Sequence, residues 1–407
     1  MRKYVLIVFG LLLIISCGQE KMLQNKDVIG LWKIELQVDK DSVSIPFFLE
    51  IIGDSDSILG AVWNGEEKII HHDIVFHHDT LVLTNPFFNS SLYLKFQKNK
   101  ITGYWEDGSR VNYTIPLTGM YNLNQRFSFE EQLSMSADGK WEVVFSPGTE
   151  DAYKAIGLFS SDENSMKGTF LTETGDYRFL EGGFAGNQLK LSTFDGSHAF
   201  LFEADLIEDT LRGKFWSGKH WSEPFIAWRN DSATLADPFS LTTANEPDTR
   251  VSVRFQDANG KMVSLEDSAY LNKPVLLQLM GTWCPNCIDE STYLSNVYDS
   301  IAMYGVEVLA LCFEREDYNN SIANLRKVKE ELNIPYTLLY AGGSDKEEAT
   351  KLVPWLSQVK SYPTLIFLTS DHRIVKTHTG FYGQGTGKYF DRQTKLLMHD
   401  IEVLGQL

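Results

Sequence analysis

Cys284 and Cys287 are separated by two residues and are the clearest candidates for chemistry in this sequence. They follow a Gly-Thr-Trp segment at 281–283 and a continuous apolar run at 275–280, which predicts a buried strand. A helix is predicted to begin at Pro285, which places Cys284 at its N-terminus. Unpaired backbone N–H groups there favour an anion and lower the pKa of a thiol. We therefore expect Cys284 to attack a disulfide and Cys287 to resolve the mixed disulfide.

Two alternative roles for this cysteine pair explain less of the sequence. Zinc would need two further ligands, and no second CxxC or paired histidine lies nearby. A purely structural disulfide would explain neither Trp283 nor the position between a strand and a helix. We therefore predict a redox-active pair with no bound metal, nucleotide or flavin. Cys312 lies in a second apolar run and is expected to be a small buried hydrophobe.

The region around the pair alternates predicted strands and helices. Strands are predicted at 275–280, 306–313, 337–340, 364–369 and 374–378, and helices at 285–303, 319–332, 345–353 and 388–404. This alternation is typical of a sheet with helices on its faces. A polar segment at 231–250 predicts a linker before this domain, which we assign to 251–407.

Residues 251–407 resemble the thioredoxin-fold domains of the TlpA/ResA type. The resemblance rests on Trp-Cys-x-x-Cys-x-x-Glu at 283–290 and on Ser-Tyr-Pro-Thr at 361–364. It implies an α/β thioredoxin fold in which a cis peptide bond precedes Pro363. That proline would pack beside the CxxC, and Tyr362 would offer backbone groups to a substrate chain.

The resemblance also implies roles for other residues near the cysteines. Glu290, which shares a helix face with Cys287, would handle the proton of the buried thiol; the alternative is a solvated helix carboxylate. Trp283, Pro285 and Asn286 would be active-site neighbours.

Two positions depart from the pattern of these relatives. Many of them carry proline directly before the second cysteine, whereas Asn286 stands there in this chain. The dipeptide between the cysteines helps to set the redox potential, so the direction of electron transfer stays open. Gln278 occupies the place of the buried aspartate of thioredoxins and cannot ionise. Because Gln278 cannot relay a proton, Glu290 becomes the main candidate for proton transfer.

The resemblance implies a thiol–disulfide oxidoreductase that reduces protein disulfides. Its relatives receive electrons from a membrane thiol transporter and often serve cytochrome c maturation. An oxidant or isomerase is the alternative direction. A peroxiredoxin-type peroxidase would need a Pro-x-x-x-Thr-x-x-Cys pattern, which is absent. A third possibility is a binding protein whose thioredoxin domain is only a platform.

The start of the chain predicts export and lipidation. Arg2 and Lys3 precede about eleven mostly apolar residues, too few to cross a membrane and typical of a signal peptide at 1–16. The ending Ser16-Cys17 resembles a bacterial lipobox, which implies that Cys17 carries a lipid. A tether would follow at 17–28. We expect a cell-envelope protein anchored to a bilayer on the periplasmic side or at the cell surface.

Residues 29–230 contain a tandem duplication. Gly30-Leu31-Trp32 is similar to Gly139-Lys140-Trp141, and three further pairs of segments are similar, with offsets between 108 and 110 residues throughout. Runs of alternating apolar and polar residues predict all-β repeats at 29–120 and 121–230, each barrel- or sandwich-like. The two copies could form separate units or one shared sheet.

The function of the duplicated region is open from sequence. Its many aromatic residues could line a ligand cavity, but a packed β core is the more ordinary explanation. Histidines at 71, 72, 77 and 78 suggest a metal site only if a turn near Val75 brings the two pairs together, and we predict none. The net charge of −17 argues against a nucleic-acid partner.

Overall fold

A computed structural model describes residues 23–39, 43–129, 136–162, 165–246 and 248–407. The predicted signal peptide and Cys17 lie outside the described residues. No helix in the described ranges is long and apolar enough to cross a bilayer.

The first β unit forms one nine-stranded antiparallel sheet in the order β4-β3-β2-β1-β9-β8-β7-β6-β5. Its strands are β1 Gly30–Gln37, β2 Ser44–Gly53, β3 Ile58–Asn64, β4 Glu67–His71, β5 Ile74–His77, β6 Thr80–Thr84, β7 Ser90–Gln97, β8 Lys100–Asp107 and β9 Tyr113–Tyr121. The two edge strands β4 and β5 are joined by only two residues, and the Nδ1 atom of His71 in β4 lies 3.0 Å from the carbonyl oxygen of Thr84 in β6. The unit is therefore a nearly closed barrel.

Eight of the nine strands of the second β unit close into an antiparallel barrel, because β11 pairs with both β10 and β12, whereas the short β13 pairs with β12 alone. Its strands are β10 Gly139–Phe145, β11 Tyr153–Ser161, β12 Met166–Thr172, the short β13 Gly175–Asp176, β14 Leu180–Ala185, β15 Gln188–Phe194, β16 Ala199–Ile207, β17 Thr210–Ser217 and β18 Trp221–Arg229. The two copies thus form separate sheets, and the all-β prediction is confirmed.

The duplication is visible in side-chain contacts as well as in topology. The indole N–H of Trp32 donates to the Val28 carbonyl at 2.8 Å, and that of Trp141 donates to the Ala137 carbonyl at the same distance. Val28 is fully buried. The end of the predicted tether at 17–28 is therefore packed into the first barrel, because its last residue belongs to that core.

The C-terminal region has a seven-stranded sheet in the order β20-β19-β23-β22-β21-β24-β25. Its strands are β19 Arg254–Asp257, β20 Met262–Ser264, β21 Val275–Met280, β22 Glu307–Glu314, β23 Thr337–Gly343, β24 Thr364–Leu368 and β25 Ile374–Thr379, and its helices are α1 Pro285–Asn296, α2 Tyr298–Met303, α3 Tyr318–Glu331, α4 Lys346–Leu352 and α5 Lys388–Leu404. Strands β21, β22 and β23 are parallel. The predicted thioredoxin fold is confirmed.

Three details of this region differ from the sequence prediction. The hairpin β19–β20 has few apolar residues and was not predicted. The helix expected over 285–303 is interrupted at Val297, which leaves α-helical geometry. The predicted linker at 231–250 packs along the domain, since Ala244 bridges to Leu356 and Thr242 is fully buried. Because the segment is polar and has no apolar period, the sequence did not indicate this packing.

Candidate active site

The two cysteines lie where β21 ends and α1 begins, and they are joined by a disulfide with a Cα–Cα distance of 5.2 Å. Cys284 caps the helix, and the backbone N–H of Cys287 donates to its Sγ at 3.3 Å. Cys284 is 6% exposed and Cys287 is fully buried. The same N–H would stabilise a thiolate on Cys284 after reduction. This geometry suits Cys284 as the attacking sulfur and Cys287 as the resolving one.

The segment before β24 contacts the attacking sulfur. The Tyr362–Pro363 peptide bond is cis, and the Tyr362 carbonyl oxygen lies 3.6 Å from Cys284 Sγ. The Tyr362 ring packs edge-on against Trp283, with 5.9 Å between ring centroids. The structure therefore places Trp283 and the cis bond between Tyr362 and Pro363 next to Cys284.

Trp283 is held by the end of the neighbouring strand β22. Its indole N–H donates to the Phe313 carbonyl at 2.9 Å, and the Arg315 guanidinium lies 3.6 Å from the ring centroid. This cation–π contact and the hydrogen bond fix the residue that precedes the attacking cysteine.

Glu314 positions the segment before the CxxC and was not identified from the sequence. Its carboxylate accepts from the Thr282 backbone N–H at 2.9 Å and from the Thr282 hydroxyl at 2.6 Å. Burial raises the pKa of Glu314 to about 7. A signal was available, because parallel β21 and β22 end at one edge of the sheet, with Met280 opposite Cys312.

Glu290 is fully buried behind the CxxC, which excludes the solvated alternative. Its Oε2 accepts from the Gln278 side-chain amide at 2.8 Å, and its Oε1 has no hydrogen-bond partner in the described ranges. Burial raises the pKa of Glu290 to about 8, which the hydrogen bond from Gln278 partly opposes. Gln278, which replaces the buried aspartate of thioredoxins, therefore holds the Glu290 carboxyl group by a hydrogen bond.

The dipeptide between the cysteines contacts the second β barrel, which the sequence did not indicate. The Asn286 amide donates to the Asp176 carboxylate at 3.0 Å and to the Phe381 carbonyl at 3.2 Å. The Pro285 carbonyl accepts from the Arg178 guanidinium at 3.3 Å. These barrel partners lie more than a hundred residues from the CxxC, so no local pattern could have pointed to them.

Arg178 lies at the junction of all three structural units. Its guanidinium forms ion pairs with Asp289 of α1 at 2.7 Å and with Asp195 of its own barrel at 3.4 Å. A third ion pair joins it to Glu67 of the first barrel. Burial is the larger cause and repulsion by the charge of Asp289 the smaller one of a raised pKa of about 6 for Asp176. Charges from both barrels thus converge on the helix that carries the cysteines.

The other candidates lie away from this site. Cys312 is a free, fully buried cysteine in β22, and burial raises the pKa of its thiol. His71 is buried, and its Nδ1 lies 3.0 Å from the Thr84 carbonyl oxygen. No cluster of three or more potential metal ligands occurs among the residues that the structure describes.

Comparisons with known proteins agree with this geometry. Residues 244–377 match the model of the AhpC/TSA family. The chain is 29% identical over 124 residues to "Thiol-disulfide oxidoreductase ResA" of Bacillus cereus. This match covers 30% of this chain and 64% of that protein. The chain is 28% identical over 125 residues to the protein of the same name from Bacillus subtilis, covering 31% and 62%. The chain thus spans less than two thirds of the length of these relatives.

One solved structure with a similar region is a secreted thiol-disulfide isomerase from Corynebacterium glutamicum. It is 18% identical, with a TM-score of 0.33, and the match covers 41% of this chain and 93% of that chain.

The C-terminal region is a thioredoxin-fold domain with a CxxC at the start of its first helix and a cis-proline beside it. Its sequence relatives are ResA-type proteins, and the resemblance drawn from the sequence is confirmed.

Proposed function

We propose that this protein is a thiol–disulfide oxidoreductase that reduces protein disulfides through Cys284 and Cys287. The observation that carries the proposal is the position of Cys284 Sγ, which accepts from the Cys287 N–H and lies beside the Tyr362 carbonyl. The N–H of Cys287 favours a thiolate on Cys284. The Tyr362 carbonyl is a backbone group next to the sulfur with which a substrate chain can pair.

The chemistry follows from these positions. The Cys284 thiolate attacks one sulfur of a substrate disulfide, forms a mixed disulfide and expels the other sulfur as a thiolate. Cys287 loses its proton, attacks the Cys284 sulfur and releases the second substrate thiolate. Two electrons thereby pass from the cysteine pair to the substrate, and a dithiol donor must return them.

Glu290 is proposed to take the proton that Cys287 loses, in those molecules in which its carboxyl group is ionised. An ordinary thiol has a pKa of about 8.5, and burial raises that of Glu290 to about 8. The raised pKa makes the ionised carboxylate of Glu290 a stronger base than an ordinary carboxylate, which suits it to exchange a proton with a thiol. Gln278 orients the carboxyl group through the hydrogen bond to Oε2.

Trapping of mixed disulfides tests this assignment. Cys287→Ser should accumulate a covalent complex with a disulfide-containing protein such as insulin, because the resolving thiol is gone. Cys284→Ser should accumulate none, and dithiothreitol should release the complex of the first variant. Equal trapping by both variants would contradict the assigned order of attack.

We also propose that the protein is lipid-anchored through Cys17 and works in the cell envelope. The apolar run after Arg2 and Lys3 and the Ser16-Cys17 ending support this. The full-length protein expressed in a bacterium should partition into detergent, and Cys17→Ala should move it to the aqueous phase. Wild-type protein in the aqueous phase would contradict the anchor.

A membrane thiol transporter is the proposed electron donor, and cytochrome c maturation is the proposed pathway. Both proposals rest on the TlpA/ResA resemblance. A chromosomal Cys284→Ala substitution should lower the haem-stained c-type cytochromes of the host. Unchanged cytochrome content would assign the reductase to other substrates.

A further inference from the structure

The second β barrel covers one side of the CxxC with a single short segment, residues 172–179, which we name the cover hairpin. Its Asp176 carboxylate accepts from the Asn286 amide at 3.0 Å and from the Gly383 backbone N–H at 2.7 Å. A Cβ atom at Gly175 would lie 2.8 Å from the Asn286 side chain, and one at Gly380 would lie 2.7 Å from the Thr174 backbone. The hairpin is therefore in direct van der Waals contact with the residues around the cysteines.

A second loop of the same barrel contacts the residue before the attacking cysteine. The Ser197 hydroxyl donates to the carbonyl of Trp283, the residue before Cys284, at 3.2 Å. Cys284 is only 6% exposed in this arrangement. Exchange requires a substrate sulfur to approach Cys284 in line, and a protein substrate brings neighbouring residues with it. Part of the surface next to Cys284 is therefore covered by the second barrel.

The cover hairpin is held by polar contacts. Arg178 joins it to Glu67 of the first barrel and to Asp289 of α1. By contrast, the first barrel docks through Phe88, which is buried in the core of the thioredoxin domain. Lys327 of α3 strengthens that docking by donating to the Phe88 carbonyl at 3.1 Å. An apolar anchor therefore holds the units together independently of the hairpin.

We propose that the cover hairpin is a specificity element that restricts which disulfides reach Cys284. A protein disulfide must displace it, whereas a small disulfide needs a much smaller opening. The proposal rests on the proposed function, since it takes Cys284 as the attacking sulfur. It assigns this part of the duplicated region a role in the reaction itself.

Gly175→Val tests the proposal by steric means, because the added side chain cannot share the space of Asn286. The reduced full chain would be assayed with insulin and, in parallel, with hydroxyethyl disulfide. Insulin reduction should rise by about tenfold, since the apparent rate scales with the fraction of molecules in the open form. The rate with hydroxyethyl disulfide should change by less than about twofold, because that reagent depends less on opening.

Two further variants keep the test decisive. Asp176→Ala removes the hydrogen bonds to Asn286 and Gly383 without adding volume, and it should shift the ratio of the two rates in the same direction. Lys190→Met is the matched control: its ion pair with Glu203 lies within the same barrel, and the ratio should stay at the wild-type value.

The outcomes separate this proposal from the proposed function. If the variants reduce both disulfides with an unchanged ratio, the hairpin is no specificity element, although the oxidoreductase stands. If wild-type protein reduces neither disulfide and Cys284 and Cys287 show no reversible couple, both proposals fail.

Discussion

At the scale of single residues, Glu290 shows how burial adapts a common side chain to proton transfer. A carboxyl group normally titrates near pH 4, but this one is fully buried on α1 with one oxygen unpartnered in the described part of the chain. Burial disfavours its charged form and raises its pKa from 4.5 to about 8. The folded protein therefore holds a proton there that the unfolded chain releases at neutral pH.

This difference predicts a pH-dependent stability. The folded pKa is raised, so the stabilising contribution is complete below about pH 4.5 and is lost as the pH rises towards about 8. Between these limits the loss is about 1.4 kcal/mol for each pH unit. Glu290→Gln should remove this contribution and lower the slope, while the raised pKa values of Glu314 and Asp176 keep part of it, as measured by urea unfolding of the oxidised protein between pH 5 and pH 8.

The exposed Glu150 supplies the control, because Glu150→Gln should leave the pH dependence as in wild type. If Glu290→Gln kept the wild-type slope, the raised pKa assigned to Glu290 would be wrong.

At the scale of elements, the sequence was most informative where a motif or a strong apolar period was present. The run at 275–280 coincides with β21, and the predicted final helix coincides with α5. The CxxC and the Ser-Tyr-Pro-Thr motif pointed directly to the residues that meet at the sulfur. Glu314, Asp176 and Arg178 were missed because they reach the site through strand register and packing between units, which local patterns do not encode.

The duplication makes a prediction at this scale. Trp32 and Trp141 make the same hydrogen bond four residues back, from almost fully buried positions. Trp32→Phe and Trp141→Phe should each lower the free energy of unfolding by about 1–3 kcal/mol, because each leaves a buried carbonyl unpaired. Urea titration followed by circular dichroism would measure both losses.

Trp221→Phe provides the comparison, since Trp221 is 51% exposed and its replacement should cost little. A loss in only one of the two buried variants would show that the repeated contact is not energetically equivalent in the two barrels.

At the scale of the whole molecule, the barrels and the thioredoxin domain are joined at the active site. Phe88 of the first barrel belongs to the thioredoxin core, and Phe47 of the first barrel stacks on Phe194 of the second, with 4.3 Å between ring centroids. The contacts to the CxxC come from the second barrel. The duplicated region therefore contacts the residues around the two cysteines.

This arrangement predicts coupled unfolding of the barrels and the thioredoxin domain. Phe88→Ala should cost about 3–5 kcal/mol, as for other large-to-small substitutions in a core. Because the lost contacts lie between units, calorimetry should show the wild-type transition splitting into two. Val111→Ala, at a position 92% exposed, should leave the profile unchanged. A Phe88→Ala protein that melts like wild type would contradict coupling through this residue.

The most direct test of the oxidoreductase assignment is the redox potential of the Cys284/Cys287 couple. Thiol trapping in defined glutathione buffers measures it on the full chain. We predict a two-electron couple near about −270 mV, the value of thioredoxin, as an electron-donating reductase requires. A potential near about −120 mV, as in DsbA, would make the protein an oxidant or isomerase. The absence of any two-electron couple would contradict the oxidoreductase assignment. It would favour the alternative of a binding protein in which the thioredoxin domain is only a platform.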